Sequence, residues 1–334
     1  MPKMPTDLVR LALNGPTMGT RWSALLQAPG TTDPAPIEAA LALAVGEVDR
    51  QMSTWKPDSD LMRLNRAAVG TAVPVPAALM EVLARALEIG RLSGGAFDIG
   101  MGDVVAAWGF GAGAADAAAM RAALDRARPP AHEVLDLDRV ALSARKRAPM
   151  ALDLSGIAKG YAVDRMMAVL DRFGIASALV GLDGEMRARG RRADGLPWTI
   201  ALERPSHEER AALSLLELED AAVATSGDYR HWVEIGGRRL SHTMDPARGG
   251  PLDNGLASVT VLAESCMDAD AWATALMVLG ARAGTSLARE LRLKAIFIER
   301  VEQGLRQTRV GLEGMTPPSA RPKAPPTAGQ PAPP

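Results

Sequence analysis

Two oxygen-bearing side chains on one predicted helix are the clearest candidates for metal chemistry. Asp270 and Thr274 lie in the segment SCMDADAWATALMVLG, in which Ser265 fits the N-cap position. Their spacing of four residues places both on one helix face, and a carboxylate and a hydroxyl are hard oxygen ligands that suit Mg²⁺. Alternatively, Asp268 and Asp270 only favour the positive end of the helix dipole. The spacing alone favours this alternative, because Mg²⁺ usually takes only one or two carboxylates and leaves a weak signal.

A turn of small residues before a second predicted helix could bind an anion. The segment DLSGIAKGYAVD (residues 153–164) follows an apolar run, and such a turn exposes backbone N–H groups and lets the backbone approach a ligand closely. Lys159 adds a positive charge that could meet a phosphate, and the carbonyl of Gly156 could complete the shell of a metal ion. The alternative is an ordinary strand-to-helix turn with a solvated lysine.

Three further segments contain candidates for binding or proton transfer. His242 stands in polar, loop-like surroundings, although a lone histidine is more often structural or exposed than catalytic. The glycine-rich stretch GGAFDIGMGDVVAAWGFG (residues 94–111) predicts backbone packed closely against a ligand or another strand. Trp55 is bounded by polar turn residues, so it is either a stacking surface or a half-buried core residue.

Helices and strands that could position these residues alternate along the chain. The patterns predict helices over residues 36–52, 76–93, 114–128, 160–173, 265–279 and 283–291, with Gly280 closing the fifth. They predict strands over residues 22–27, 151–154, 178–180, 198–202, 221–225, 230–235, 258–262 and 294–299, the first of these following PTMGTRW. Gly236-Gly237 indicates a hairpin within residues 233–240. Hairpins mixed with helices predict an α+β fold rather than a doubly wound parallel sheet.

Composition excludes several classes of protein. The 334 residues are 47% hydrophobic with a net charge of -1, which excludes a wholly disordered chain and a broad basic footprint for nucleic acid. The single cysteine, Cys266, excludes an internal disulfide framework and a multi-cysteine metal site. No apolar stretch approaches the roughly 20 residues that span a bilayer. The last 18 residues hold 8 of the 24 prolines, which predicts a disordered tail over residues 317–334.

The motifs taken together, in their order and wording, resemble the ApbE family of Mg²⁺-dependent FAD:protein FMN transferases. The resemblance covers nearly all of the chain from Met18 to about Arg300. It is carried by MGT (residues 18–20), MSTWKPDSDLMRLN (52–65), the glycine-rich stretch, DLSGIAKGYAVD, ATSGDYRHW (224–232), SHTMDPARGGPLDNGLASVTV (241–261) and DADAWATAL (268–276). One departure is that residues 181–185 read GLDGE where members often carry NLGGD.

The resemblance implies an architecture and a set of site residues. The fold would be the ApbE-like, T-fold-like α+β type, with mixed or antiparallel sheets, flanking helices and two lobes that share one active site within a domain of residues 1–316. Metal ligands would be Asp270, Thr274 and the backbone carbonyl of Gly156. Contacts to FAD would come from Met18, Trp55, Ala96, Phe97, Asp98, Asp153, Lys159 and Met244. His242 would assist deprotonation of the acceptor hydroxyl.

The activity that the resemblance implies is cleavage of the FAD pyrophosphate and transfer of FMN, through a phosphoester bond, to a Thr or Ser hydroxyl of a target protein, with release of AMP. The acceptor would be a flavoprotein such as a subunit of a redox complex. Two alternatives stay open: a Mg²⁺-dependent FAD pyrophosphatase, and a non-catalytic FAD-binding maturation protein. The location also stays open. The sequence as written lacks a signal-peptide pattern and so favours the cytoplasm, whereas family members are often exported to the periplasm or anchored to a membrane.

Overall fold

The computed structural model describes residues 8–125, 128–206, 211–229, 232–235 and 238–312. The helices in these residues are α1 (Pro34–Met52), α2 (Asp60–Arg66), α3 (Ala77–Leu92), α4 (Gly102–Ala107), α5 (Ala117–Asp125), α6 (Ala131–Val134), α7 (Ala158–Arg172) and α8 (Cys266–Glu290). The strands are β1 (Leu8–Thr17), β2 (Thr20–Pro29), β3 (Ala72–Pro74), β4 (Leu135–Asp138), β5 (Ser143–Lys146), β6 (Ser177–Leu182), β7 (Glu185–Arg189), β8 (Trp198–Glu203), β9 (Ala212–Leu218), β10 (Ala222–Gly227), β11 (Trp232–Ile235), β12 (Arg238–Ser241), β13 (Met244–Asp245), β14 (Gly250–Pro251), β15 (Leu256–Ala263), β16 (Lys294–Val301) and β17 (Gly304–Val310).

An eight-stranded sheet forms the centre of the fold, in the order β1-β2-β6-β7-β10-β15-β16-β17. Every neighbouring pair in it is antiparallel. A three-stranded sheet has the order β3-β5-β4, and three two-stranded pairs, β8-β9, β11-β12 and β13-β14, complete the described strands. Together with the helices, this arrangement confirms the predicted α+β class.

The central sheet separates two hydrophobic layers, and β16 shows how. Successive side chains on a strand point to opposite faces. Ala295 and Phe297 therefore belong to the main core with α1, α3, α7 and α8. Ile296 and Ile298 belong to a second cluster that includes Trp198 and other residues of the β8-β9 pair. The helices that carry the candidate site thus pack on one face of the sheet.

The predicted helices are present in the structure at the predicted places, but the residues at which they begin and end differ. The predicted helices at 265–279 and 283–291 are joined as α8, which has one non-helical residue, Gly280, with φ 76° and ψ 174°. Only glycine adopts a positive φ of this kind without strain, which is why the sequence pattern breaks there. The helix predicted over 114–128 is shorter, because α5 begins at Ala117 and ends at Asp125, and residues 126–127 lie outside the described residues.

One strand prediction is wrong, and another is correct in place but is not the first strand. The strand predicted over 151–154 does not form, and only an isolated parallel bridge joins Met101 to Ala151, because the Asn65 side chain occupies the backbone groups of Leu152. The strand predicted over 22–27 forms as part of β2, but β1 precedes it: PTMGTRW contains the end of β1, the turn at Met18 and Gly19 with φ of 47° and 71°, and the start of β2. As the edge strand of the sheet, β1 is mostly exposed and so carries a weak hydrophobic pattern.

The remaining predictions fall at the limits of the described residues. Strands β11 and β12 pair as the predicted hairpin, although Gly236-Gly237 itself lies outside the described residues. Residues 313–334 also lie outside them, so the domain of residues 1–316 and the tail of residues 317–334 stay predictions. No helix in the described parts of the chain is long and apolar enough to cross a membrane.

Candidate functional site

The N-terminal ends of α7 and α8 meet, and each is capped by a carboxylate from the other helix. Asp164 of α7 accepts hydrogen bonds of 2.9 Å from the N–H groups of Cys266 and Met267 in α8. In return, Asp270 of α8 accepts a 2.9 Å hydrogen bond from the N–H of Gly160 in α7. The predicted N-cap, Ser265, also accepts a bond from the Asp268 N–H. The two helices that carry the main motifs are therefore fixed to each other at their first turns.

Gly160 makes this close approach possible. A Cβ at this position would lie 2.8 Å from the Cβ of Asp270 and still closer to the carbonyl oxygen of Cys266. Real Cβ atoms essentially never approach to such distances. Any larger residue at Gly160 would therefore push α7 away from α8.

Asp270 is a buried carboxylate with two other acids, Asp183 and Asp164, near it. Its residue is 6% exposed. Loss of hydration raises the pKa of Asp270 to about 6, the ammonium of Lys159 and the Gly160 N–H oppose this rise, and the charges of Asp183 and Asp164 add to it. A cation beside this carboxylate would relieve both the burial and the repulsion.

Thr274 and Gly156, which carry a hydroxyl and a backbone carbonyl, lie next to one another. Thr274 lies one turn after Asp270 on α8, and its Oγ1 is 3.1 Å from the position that a Cβ on Gly156 would take. The same Cβ position is 3.2 Å from Cε2 of Phe97. The structure thus places Gly156 against Thr274, one turn along α8 from Asp270. Their carboxylate, hydroxyl and carbonyl form a hard oxygen donor set that fits Mg²⁺.

The donor set does not depend on a cluster of acidic or histidine residues. Within the described residues, no group of three or more His, Cys, Asp or Glu is placed to hold a metal ion. Asp268, the other acid of the first turn, is held instead by Arg85 of α3 at 2.7 and 3.0 Å. Asp270 is therefore the carboxylate of the motif that remains for a cation.

Lys159 is held by two carboxylates of the β6-β7 turn. Its Nζ lies 2.9 Å from Oε1 of Glu185 and 3.4 Å from Oδ2 of Asp183. Burial lowers the pKa of Lys159, but the charges of Glu185, Asp270 and Asp183 outweigh burial and raise it above its usual value. The lysine is thus neither free nor simply solvated, and a phosphate would share it with these acids.

Glu185 and Asp183 are residues of this site that the sequence analysis missed. Glu185 is 3% exposed, and burial raises its pKa to about 8, against the ammonium of Lys159. Among the described residues its Oε2 has no hydrogen-bond partner. The available signal was the departure GLDGE, in which the pair Asp183-Gly184, typical of a hairpin turn, is followed directly by Glu185.

The glycine-rich stretch is shaped by Asp98 and by Ser93. Oδ1 of Asp98 accepts hydrogen bonds from the N–H groups of Gly100 (2.8 Å) and Ala131 (3.1 Å), and burial raises its pKa. The N–H of Phe97, after the half-buried Ala96, donates to the Ser93 hydroxyl at 3.1 Å. The structure thus shows a structural task for Asp98 and places the Phe97 ring at Gly156.

Asp153 lies between this stretch and the turn before α7. Its N–H donates to the carbonyl of Ile99 at 2.8 Å, and its Oδ1 accepts from the Ser155 N–H at 2.8 Å. Loss of hydration raises the pKa of Asp153. The side chain therefore orders the turn that contains Gly156.

Trp55 and Met18 lie at exposed or turn positions. The residue Trp55, just after α1, is 64% exposed, which excludes the half-buried core alternative and leaves the stacking surface. Met18 is at the tip of the β1-β2 hairpin, where it packs partly against the main core. Neither residue has a described contact that tests its predicted role toward FAD.

His242 and Met244 lie in a small cluster of their own. The His242 ring meets the ring of Phe110, the end of the glycine-rich stretch, edge to face at 6.3 Å and 62°. Met244 is 6% exposed and packs with Met101 and Val104. These contacts connect the segment after β12 with the stretch that also carries Phe97.

A cavity of about 620 Å³ lies elsewhere, between the start of α1 and the end of α7. Its lining includes Leu8, Ile37 and Phe173 but none of the predicted site residues. This cavity is therefore separate from the candidate site around Asp270.

The chain is similar to known proteins over most of its length. Residues 18–297 match the model of the ApbE family. The chain is 38% identical to the FAD:protein FMN transferase of Vibrio cholerae over 299 residues, which cover 88% of this chain and 89% of that protein. It is 32% identical to the FAD:protein FMN transferase of Escherichia coli over 301 residues, which cover 86% of this chain and 83% of that protein. Among solved structures, the apo flavinyl transferase ApbE of Pseudomonas stutzeri superimposes with a TM-score of 0.80 at 35% identity, covering 92% of this chain and 96% of that one. The flavin transferase ApbE of Vibrio cholerae superimposes with a TM-score of 0.81 at 34% identity, covering 91% and 98%.

Proposed function

Because the chain belongs to the ApbE family, we propose that it is a Mg²⁺-dependent FAD:protein FMN transferase. The observation that carries this proposal is the buried Asp270 carboxylate with the Thr274 hydroxyl and Gly156 beside it, at the first turn of α7 and next to Lys159. A pyrophosphate brings negative charge to a site, so the residues that receive it must supply or hold positive charge. Lys159 and a cation on the Asp270 oxygens meet that need.

Each predicted residue has a task in this proposal. Asp270, Thr274 and the Gly156 carbonyl would hold Mg²⁺, which supplies positive charge against the phosphate oxygens when it is bound. FAD would be bound by a set of residues contributed by the hairpin, the glycine-rich stretch and the two helices: Met18, Trp55, Ala96, Phe97, Asp98, Asp153, Lys159 and Met244. Glu185 and Asp183 hold Lys159 in place.

His242 would take the proton of the acceptor hydroxyl. The hydroxyl oxygen of a Thr or Ser in the acceptor protein forms a bond to the phosphorus of the FMN half. The bond from that phosphorus to the bridging oxygen breaks, and AMP leaves with that oxygen. A histidine has an unperturbed pKa of about 6.5, which suits a general base near neutral pH.

The experiment is incubation of the protein with FAD, Mg²⁺ and an acceptor protein that carries a flavinylation Thr. We expect a fluorescent flavin band on the acceptor in a denaturing gel, together with one AMP per transferred FMN. An acceptor with Thr→Val at the modified position is the matched control and should stay unlabelled. FAD consumed to FMN and AMP without labelling would instead support a pyrophosphatase, and FAD binding without AMP release would support a non-catalytic maturation protein.

A further inference from the structure

Asn65, the last residue of the motif MSTWKPDSDLMRLN, takes the place of a neighbouring strand. Its Oδ1 accepts a 2.7 Å hydrogen bond from the N–H of Leu152, and its Nδ2 donates to the carbonyl of Leu152 at 2.9 Å. An amide is a side-chain group that can pair with both backbone groups of one residue in this way. Residues 150–153 are therefore held by a side chain where the sequence pattern predicted a strand.

Lys146 reinforces this contact from within the protein. It is 4% exposed, and its Nζ donates to the carbonyl of Asn65 at 2.6 Å and to the carbonyl of Met150 at 3.4 Å. Among the described residues its hydrogen-bond partners are carbonyls, and burial lowers its pKa. Burying an ammonium without a carboxylate costs free energy, so what this lysine contributes is the link between Asn65 and Met150.

The other side of the same segment is held by the glycine-rich stretch. The N–H of Asp153 donates to the carbonyl of Ile99 at 2.8 Å, and the N–H of Gly102 donates to the carbonyl of Ala151 at 2.9 Å. Gly156, three residues after Asp153, lies against Thr274. A short piece of backbone with several hydrogen bonds thus connects Leu152 to the candidate metal ligand Gly156.

We propose that Asn65 and Lys146 are positioning residues, which hold residues 150–153 so that the Asp153 side chain and the Gly156 carbonyl reach FAD and its cation. This inference rests on the proposed function. A displacement of about 1 Å at a reacting or coordinating group can cost about 10²-fold in rate. Leu152, which the Asn65 side chain holds, is only four residues before Gly156, so a shift at Leu152 would reach the candidate ligand. Neither residue touches the substrate in this proposal.

The test compares four variants of the full chain: Asn65→Leu, Lys146→Met, the double variant, and Lys294→Met as a matched control at an exposed position of β16. Three quantities are measured: the affinity of the protein alone for Mn²⁺ by electron paramagnetic resonance, kcat and KM for FAD with Mg²⁺, and the urea midpoint without metal. Lys146→Met is the decisive variant, because it removes the buried charge and keeps the length of the side chain. A merely structural role predicts a lower urea midpoint for it with unchanged kcat.

We expect Lys146→Met to keep or raise the urea midpoint, to weaken Mn²⁺ binding about threefold and to lower kcat about tenfold. Asn65→Leu should lower kcat by about 10- to 100-fold, and the double variant should resemble Asn65→Leu, since both residues act on one segment. Wild-type Mn²⁺ affinity and wild-type kcat in Lys146→Met would overturn the proposal, as would full additivity in the double variant. If the wild-type protein does not consume FAD, the proposed function fails, and the Mn²⁺ affinities of the same four variants still decide the positioning role.

Discussion

Asp164 and Asp270 each cap the helix that carries the other. Asp164 accepts from two N–H groups at the start of α8, and Asp270 accepts from the Gly160 N–H at the start of α7. Burial raises the pKa of both carboxylates, to about 6 for Asp270, but Asp164 is paired with Arg187 at 2.6 Å, whereas the Lys159 ammonium that opposes the rise at Asp270 is bonded to Glu185 and Asp183. One carboxylate is thus in a direct ion pair within the protein, and in the proposed function the other binds a cation.

This difference predicts opposite effects for two matched substitutions. Asp270→Asn keeps an acceptor for Gly160 and removes a buried charge, so the urea midpoint should be unchanged or higher while Mg²⁺-dependent turnover falls at least 100-fold. Asp164→Asn should lower stability by about 1 kcal/mol, because it weakens a cap and an ion pair, and should leave turnover per folded molecule within about twofold. Unchanged turnover in Asp270→Asn would contradict the assignment of the metal ligand.

Gly160 should be intolerant of a single methyl group. Gly160→Ala would drive a Cβ into the Cys266 carbonyl and the Asp270 Cβ, and we expect a loss of about 2 kcal/mol in the free energy of unfolding. Gly46 in α1 is the matched control, since a Cβ there meets nothing within 4 Å and Gly46→Ala should stabilise the protein by about 0.5–1 kcal/mol. Equal effects of the two substitutions in urea unfolding would show that α7 and α8 are not packed this closely.

His242 should affect transfer more than binding. His242→Asn keeps a polar side chain of similar size but cannot accept a proton near neutral pH, so kcat for FMN transfer should fall by about 10²- to 10⁴-fold. The dissociation constant of FAD, measured by flavin fluorescence, should change less than about threefold. A parallel loss of both would indicate that His242 binds FAD instead of acting as a base.

The metal-free protein should become less stable as the pH rises from about 5 to 8. The folded-state pKa of Glu185 is about 8 and that of Asp270 about 6, both raised by burial, so the folded protein binds more protons than the unfolded chain in this window. Stability therefore falls with rising pH by several kcal/mol across this window and is greatest where both groups are protonated in the folded state. Lys159, whose pKa is raised above its usual value, stays charged throughout and adds no slope.

Urea unfolding at pH 5, 6, 7 and 8 in the presence of a chelator measures this slope. Glu185→Gln should remove most of it, because the amide does not titrate. Asp245→Asn, at a half-buried acid in β13 whose Oδ1 accepts from the Ala247 N–H, is the control and should keep it. A flat profile in the wild-type protein would contradict the charge balance described for Lys159 and its acids.

Local features of the site could be predicted from the sequence. The Ser265 cap, the i, i+4 placement of Asp270 and Thr274 and the break at Gly280 all follow from helix periodicity and backbone preference, and the structure contains each of them. The α+β class follows in the same way from hairpin and helix patterns. Each depends on residues close together in the chain, where a few preferences decide the conformation.

The packing of distant segments was decided by the tertiary structure. Lys159 meets Glu185, Asp270 caps Gly160 and Asn65 bridges to Leu152 only because the sheet brings these elements together, across 26, 110 and 87 residues of chain. The failed strand at 151–154 shows the reason: the backbone groups of Leu152 are bonded by the Asn65 side chain, far away in sequence, and a local pattern cannot report that competition. The sequence by itself determined which groups could serve a cation and a pyrophosphate, and only the fold decided which of them are buried, paired or left for a ligand.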